Sequence, residues 1–128
     1  MISHLSFGVG DLERATRFYD AALAPLGLVR VWSAADGAGY GPAGAEDGLA
    51  LKLRSGATPP GPGFHCAFDA PSREAVDAFH RAALAHGGED NGMPGVRPHY
   101  GDHYYAAFVT DPDGHRIEAL CQRSDAGA

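Results

Sequence analysis

Cysteine is scarce in this chain: Cys66 and Cys121 are the only two among 128 residues. Two thiols so far apart do not make a disulfide scaffold, so both read as small buried hydrophobes and a reducing cytoplasm is the expected location. No run of about 18 apolar residues occurs, which excludes a membrane-spanning helix. Positive charge is also in short supply. Ten Lys and Arg face sixteen Asp and Glu, for a net charge of −6. The basic residues are scattered, so a nucleic-acid backbone is a poor partner. The chain opens directly on the strand-like Ile2-Ser3-His4-Leu5-Ser6-Phe7, with no charged segment ahead of an apolar stretch, which predicts no signal peptide. There is no Gly-x-Ser-x-Gly elbow and no phosphate-loop lysine. Gly8-Val9-Gly10 echoes a dinucleotide loop but lacks its third glycine.

What is present fits one globular domain over residues 1–123. Hydrophobic residues make up 45% and charged residues 20%, near the globular average. Eighteen glycines and nine prolines mark frequent turns, which suits many short strands better than a helix bundle.

The dominant signal is an internal repeat. Sliding the sequence on itself until His4 meets His65 brings His4-Leu5-Ser6-Phe7 onto His65-Cys66-Ala67-Phe68. Glu13 then falls on Glu74, Phe18 on Phe79, Ala21-Ala22-Leu23-Ala24 on Ala82-Ala83-Leu84-Ala85, and Gly27 on Gly88, all without a gap. Each copy opens with a short alternating strand. A helix follows, capped by Asp11 or Ser72, with Glu13 or Glu74 in the first turn, where the helix dipole favours an acid. Apolar residues recur at helical spacing, at Leu12, Ala15, Phe18 and Ala22, and again at Val76, Phe79 and Ala83. Glycines end both helices, and a strand resumes over 28–32.

Later in each copy Asp47-Gly48 leads into Leu49-Ala50-Leu51-Lys52-Leu53, and Asp113-Gly114 leads into His115-Arg116-Ile117-Glu118-Ala119-Leu120. Matching these turns makes Lys52 the counterpart of Glu118 and predicts a short insertion within 92–103. Asp111-Pro112-Asp113-Gly114 reads as a tight hairpin turn between strands over 104–110 and 115–121. The expected fold is α+β, with two β-α-β-β-β repeats (2–54 and 64–122) forming a curled, half-open mixed sheet around a cleft. Residues 55–63 are a Pro/Gly linker, and 124–128 form a frayed tail.

Paired β-α-β-β-β units, with His4 and His65 on the first strands and Glu118 on the last, resemble the vicinal oxygen chelate superfamily. That superfamily includes glyoxalase I, extradiol dioxygenases, fosfomycin resistance enzymes, epimerases and bleomycin-binding proteins. The most specific segment is Ala107-Phe108-Val109-Thr110-Asp111-Pro112-Asp113-Gly114-His115-Arg116-Ile117-Glu118. The resemblance implies that His4, His65 and Glu118 bind one divalent metal ion (zinc, nickel, manganese or iron), with Glu118 also catalytic. It implies a small-molecule substrate chelated through adjacent oxygens, a homodimer, and lyase, transferase or dioxygenase chemistry. Two imidazoles and a carboxylate on separate strands would form a facial triad with open positions. The same residues also read as strand histidines in a dry cleft, with Glu118 paired to Arg116 or Arg97.

In glyoxalase I the counterpart of Glu118 in the first repeat is a carboxylate ligand that also moves the substrate proton. Lys52 at that position argues against lactoylglutathione lyase activity, and Ala50, two residues away, cannot ligate either. Lys52 instead suits a substrate anion, or it snorkels to solvent. Arg97, Tyr100 and Tyr105 lie in an aromatic-rich segment that reads either as a wall of the substrate pocket or as a dimer contact. A metal-free small-molecule binding protein of the same fold is the alternative function.

Overall fold

The computed structural model describes residues 1–123. The expected tail, 124–128, lies outside the described residues. Repeat one runs β1 (Leu5–Val9), α1 (Leu12–Leu23), a single 3-10 turn (Ala24–Leu26), β2 (Leu28–Ala34), β3 (Gly37–Pro42) and β4 (Leu49–Leu53). Repeat two runs β5 (Cys66–Asp69), α2 (Arg73–Ala85), β6 (Glu89–Val96), β7 (Tyr105–Thr110) and β8 (Arg116–Cys121). Each repeat closes into its own four-stranded mixed sheet, ordered β1-β4-β3-β2 and β5-β8-β7-β6. The first strand of each repeat pairs parallel to the last, and the other pairings are antiparallel. The paired β-α-β-β-β architecture is therefore present, with no closed barrel.

Both helices start as their sequences require. The Asp11 carboxylate accepts from the Arg14 amide at 3.0 Å, and the Ser72 hydroxyl accepts from the Ala75 amide at 3.1 Å. Each bond satisfies one of the free amides of a first helical turn. Gly27 ends the first helical segment at φ 80°, a left-handed conformation that costs a glycine little, and its amide bonds back to the Ala24 carbonyl. The apolar stripes of both helices enter one core. Phe18 and Tyr19 of α1 and Val76 and Phe79 of α2 are fully buried there. Burial of each large side chain contributes roughly 2–3 kcal/mol. From the sheets, Phe7, Val9, Tyr40 and Leu51 meet the same core as Val109, Ile117 and Ala119. Alternate residues of every strand take the opposite face, so each sheet has one face on this common core and a second face turned away from it.

A buried polar join links the repeats. The Tyr19 hydroxyl donates to Asp111 Oδ2 at 2.6 Å, and Asp111 Oδ1 accepts from the amides of Asp113 and His115. His115 stacks on Phe7 at 4.3 Å, and its Nε2 meets the Gly8 carbonyl at 2.9 Å. Asp113 Oδ1 accepts from the Gly10 amide and from Arg14. The Asp-Pro-Asp-Gly turn thus does more than reverse the chain: it carries repeat two onto the end of β1. Burial raises the Asp111 carboxyl above its usual range, against the opposing effect of the hydrogen bonds it accepts.

One sequence expectation needs correction. Leu5 pairs with Leu49, and its counterpart Cys66 pairs with Ile117. Glu118 therefore corresponds to Ala50, not to Lys52. The antiparallel ladders agree, since Gly39 faces Ala50 while Phe108 faces Glu118. The Asp-Gly dipeptides misled because they stand at different distances from the paired residues: Gly48 directly precedes Leu49, whereas His115 and Arg116 intervene between Gly114 and its counterpart Ile117. The extra residues of repeat two lie between β6 and β7, spanning 97–104, where repeat one has only 35–36.

Candidate metal and substrate site

The outward face of the second sheet carries the chemistry. His65 precedes β5, and Glu118 sits mid-β8, beside Ala67 in the parallel ladder. Residues His65 and Ala67 share a face by strand alternation, so the imidazole reaches the carboxylate. His65 Nε2 lies 2.9 Å from Glu118 Oε1. The Tyr104 hydroxyl donates to the other carboxylate oxygen, Oε2, at 2.5 Å. The Glu118 side chain is 2% exposed and that of His65 49%, so the carboxylate is shielded while the imidazole opens to solvent. Burial, with help from Glu118, pushes the Tyr104 phenol above its usual value, which keeps it a proton donor through neutral pH.

The surroundings are aromatic. Phe108 faces Glu118 across β7–β8 and lies 6.2 Å from the His65 ring. The Arg97 guanidinium stands 5.4 Å from the Phe108 ring and donates to the Gly95 and Met93 carbonyls. Tyr100 packs 5.2 Å from Tyr104 and 4.1 Å from His99. His65, Phe108, Tyr100 and Asn91 rim a shallow depression of about 210 Å³. A larger, mainly apolar cavity of about 470 Å³ opens on the other side of β5, between Leu5, Leu28 and Leu49 of repeat one and Phe64, Cys66 and Phe68 of repeat two, and His65 touches it as well. Burial raises the Cys66 thiol there.

Of the residues singled out in the sequence, His65, Glu118, Arg97 and Tyr100 gather on this face. Tyr105 does not. It is one step out of phase with Tyr104 and turns toward the core side, where its hydroxyl donates to Asp77 of α2 at 2.6 Å and Arg73 covers its ring at 5.0 Å. Tyr104 takes the place expected of Tyr105. Separating the two requires the β7–β8 register, which sets Phe108 opposite Glu118 and so puts Tyr104, four residues earlier, on the same face. Glu118 pairs with His65 and Tyr104, not with an arginine. His4 is exposed just ahead of β1, and its Nδ1 lies 3.0 Å from the Ser3 hydroxyl. Among the described residues no group of three His, Cys, Asp or Glu is arranged to hold a metal ion within one chain.

On the outward face of the first sheet the equivalent positions are plain: Ala50 stands for Glu118 and Gly39 for Phe108. The sequence profile of the Glyoxalase/Bleomycin resistance protein/Dioxygenase superfamily matches residues 1–119. The chain belongs to this superfamily. A glyoxalase/bleomycin resistance protein from Albidiferax ferrireducens is 35% identical, with a TM-score of 0.82 over 94% of this chain and 98% of that one. A glyoxalase-related enzyme from Fulvimarina pelagi shares the fold at 22% identity and TM-score 0.73, over 94% and 87% of the two chains. A glyoxalase I mutant from Zea mays shares it at 23% identity and TM-score 0.71, with 93% of this chain covering 46% of that longer one. No curated protein matches the chain. Among the described residues no helix is long and apolar enough to cross a membrane.

Proposed function

We propose that this glyoxalase-superfamily chain is a divalent-metal-dependent enzyme whose site is shared between two copies: His65 and Glu118 of one chain and His4 of a second. The observation that carries this reading is the convergence of His65 Nε2 and Glu118 Oε1 at 2.9 Å. Two ligand atoms bound to one ion at right angles, each about 2.1 Å from it, lie about 3 Å apart, so this pair fits two adjacent positions on a metal. Tyr104 supplies the outer hydrogen bond that orients a ligating carboxylate. A second chain is the source we assign to the third donor, because among the described residues no third His, Cys, Asp or Glu is grouped with His65 and Glu118 to hold an ion. His4 holds the place of His65 in repeat one. Both outward faces point away from the common core, so a second copy is what could bring a His4 face against a Glu118 face.

A bound divalent ion would supply Lewis-acid polarisation of a substrate that offers two adjacent oxygens. The chain's own residues would do the rest. Tyr104 fixes the carboxylate and donates a proton-bearing hydroxyl beside it. Phe108 and Tyr100 exclude water from one side, and Arg97 adds positive charge over the Phe108 ring. With Ala50 opposite Glu118, the site has one carboxylate and lacks the second that glyoxalase I uses to move a proton. Lactoylglutathione lyase is therefore not the expected reaction.

The test is metal content by plasma mass spectrometry, on wild type and on His4→Ala, His65→Ala and Glu118→Ala variants. Near-stoichiometric metal in wild type and its loss in each variant is expected. Mixing His4→Ala with Glu118→Ala chains should restore part of the metal, since one intact site forms per mixed dimer. No restoration would place all ligands in one chain. No metal in wild type after reconstitution with iron, manganese, nickel and zinc would end the metalloenzyme reading. One observation favours the alternative, a metal-free small-molecule binding protein: both Glu118 carboxylate oxygens are engaged by side chains, His65 and Tyr104.

A further inference from the structure

The outward face of the first sheet lacks ligands but is not featureless. Trp32 is the chain's one tryptophan and Lys52 its one lysine. The indole lies flat across β3. A Cβ at Gly39 would come within 1.9 Å of Trp32 Nε1, and one at Gly37 within 3.1 Å of Cη2. Any side chain at these two positions would lift the ring, so the Gly-Ala-Gly start of β3 is the bed on which the indole rests. The ring is fixed along its edge as well, because Nε1 donates to Asp47 Oδ2 at 2.9 Å. Trp32 remains 39% exposed, so its outer face is open. Lys52 faces Gly37 across the β3–β4 ladder, and thus stands beside the benzo edge of the indole. Directly opposed positions carry Cβ atoms about 5 Å apart. Lys52 is exposed, and its ammonium forms no ion pair among the described residues. Next to it in the sheet is Gly8, over which the Ala57 methyl packs.

We propose that Trp32 and Lys52 form a recognition plate for a planar aromatic carboxylate, with the ring stacked on the indole and the carboxylate on the ammonium. A rigid, tethered aromatic face loses little entropy on stacking, and an unpaired ammonium at its edge selects an anion. This rests on the shared-site reading for its role: the plate of one copy would face His65 and Glu118 of the other and would set the substrate class. Binding to the plate itself needs neither the metal nor the second copy.

The experiment uses chelator-treated protein, so failure of the metal site cannot mask the result. Emission of the single tryptophan and the acylation rate of the single lysine are followed while benzoate, benzamide or cyclohexanecarboxylate is added. Benzoate should shift the emission saturably and protect Lys52 from acylation. Benzamide should bind about tenfold more weakly for want of charge, and cyclohexanecarboxylate about fivefold more weakly for want of a π face. Lys52→Met, at an exposed position that leaves the core intact, should weaken benzoate about tenfold. Trp32→Leu, followed by calorimetry, should erase the preference for benzoate over cyclohexanecarboxylate. Three outcomes would each overturn the proposal: equal binding of the three probes, unchanged benzoate binding in Lys52→Met, or no saturation below about 10 mM, where affinity falls under what one stack and one ion pair supply.

Discussion

The two repeats share one backbone plan but present opposite kinds of surface on their outward faces. In repeat two the paired positions of β7 and β8 hold Phe108 and Glu118, and His65 and Tyr104 close on the carboxylate. In repeat one the same ladder positions hold Gly39 and Ala50, and an indole covers the glycines. The contrast shows that the scaffold fixes where a side chain points and leaves its chemistry free. One copy can carry donors while the other carries a flat wall. The join between the copies is equally one-sided. The Asp111–His115 turn of repeat two reaches Phe7, Gly8, Gly10, Arg14 and Tyr19. Among the described residues the corresponding connection of repeat one, 43–48, makes no hydrogen bond to repeat two.

Three experiments break or sharpen this comparison. The largest effect should follow Asp111→Ala, which removes the acceptor for the Tyr19 hydroxyl and for two backbone amides at the one-sided join. A loss of about 3 kcal/mol or more is expected in urea denaturation, because the freed donors remain buried. The pH sign is definite. With its folded pKa raised, Asp111 adds most to stability below the ordinary aspartate value, and the contribution is lost as pH rises through the folded value. The acid side of the stability profile should flatten in the variant.

The next effect comes from exchanging residues across the register. Ala50→Glu places a carboxylate beside Gly39, under the indole, and should cost about 1–3 kcal/mol by overpacking. Adding Trp32→Ala should recover part of it. Glu118→Ala should cost about 1–2 kcal/mol, by leaving the buried end of Tyr104 without an acceptor. If Ala50→Glu were harmless and Lys52→Glu were not, the register assigned to the two repeats would be wrong.

The smallest effect separates the two faces of β7. Burial and the Asp77 carboxylate push the Tyr105 phenol up to about 12. Its folded value lies above that of a free phenol, so its contribution to stability is present below pH about 10 and is lost as pH rises through the folded value. Asp77→Asn should make one phenolate appear at lower pH in an ultraviolet titration. Tyr104, held by Glu118 instead of Asp77, should not move.

Much of this was legible in the residues. The duplication, both helix caps, the apolar stripes and the Asp-Pro-Asp-Gly hairpin all follow from local pattern, because helical spacing and turn chemistry act over a few residues, and the family was legible as a resemblance carried by these motifs. His4, His65 and Glu118 were singled out together from the repeat and the family resemblance, and the structure brings the last two within hydrogen-bond distance. What the pattern could not resolve were choices separated by one or two positions along a strand. Tyr104 against Tyr105 is a question of side-chain parity. Ala50 against Lys52 is a question of register, and register depends on which strands pair and how long the connections between them are.

The sequence by itself determined the kind of elements and their duplication. Only the tertiary structure decided which face each strand residue takes, that Trp32 lies on a glycine bed beside Lys52, that Asp111 joins the repeats, and that His4 stands apart from His65 and Glu118 within one chain. The reason is the range of the forces. Capping and periodicity are local, whereas strand pairing and the burial of a shared core bring together residues about a hundred positions apart, such as Gly10 and Asp113.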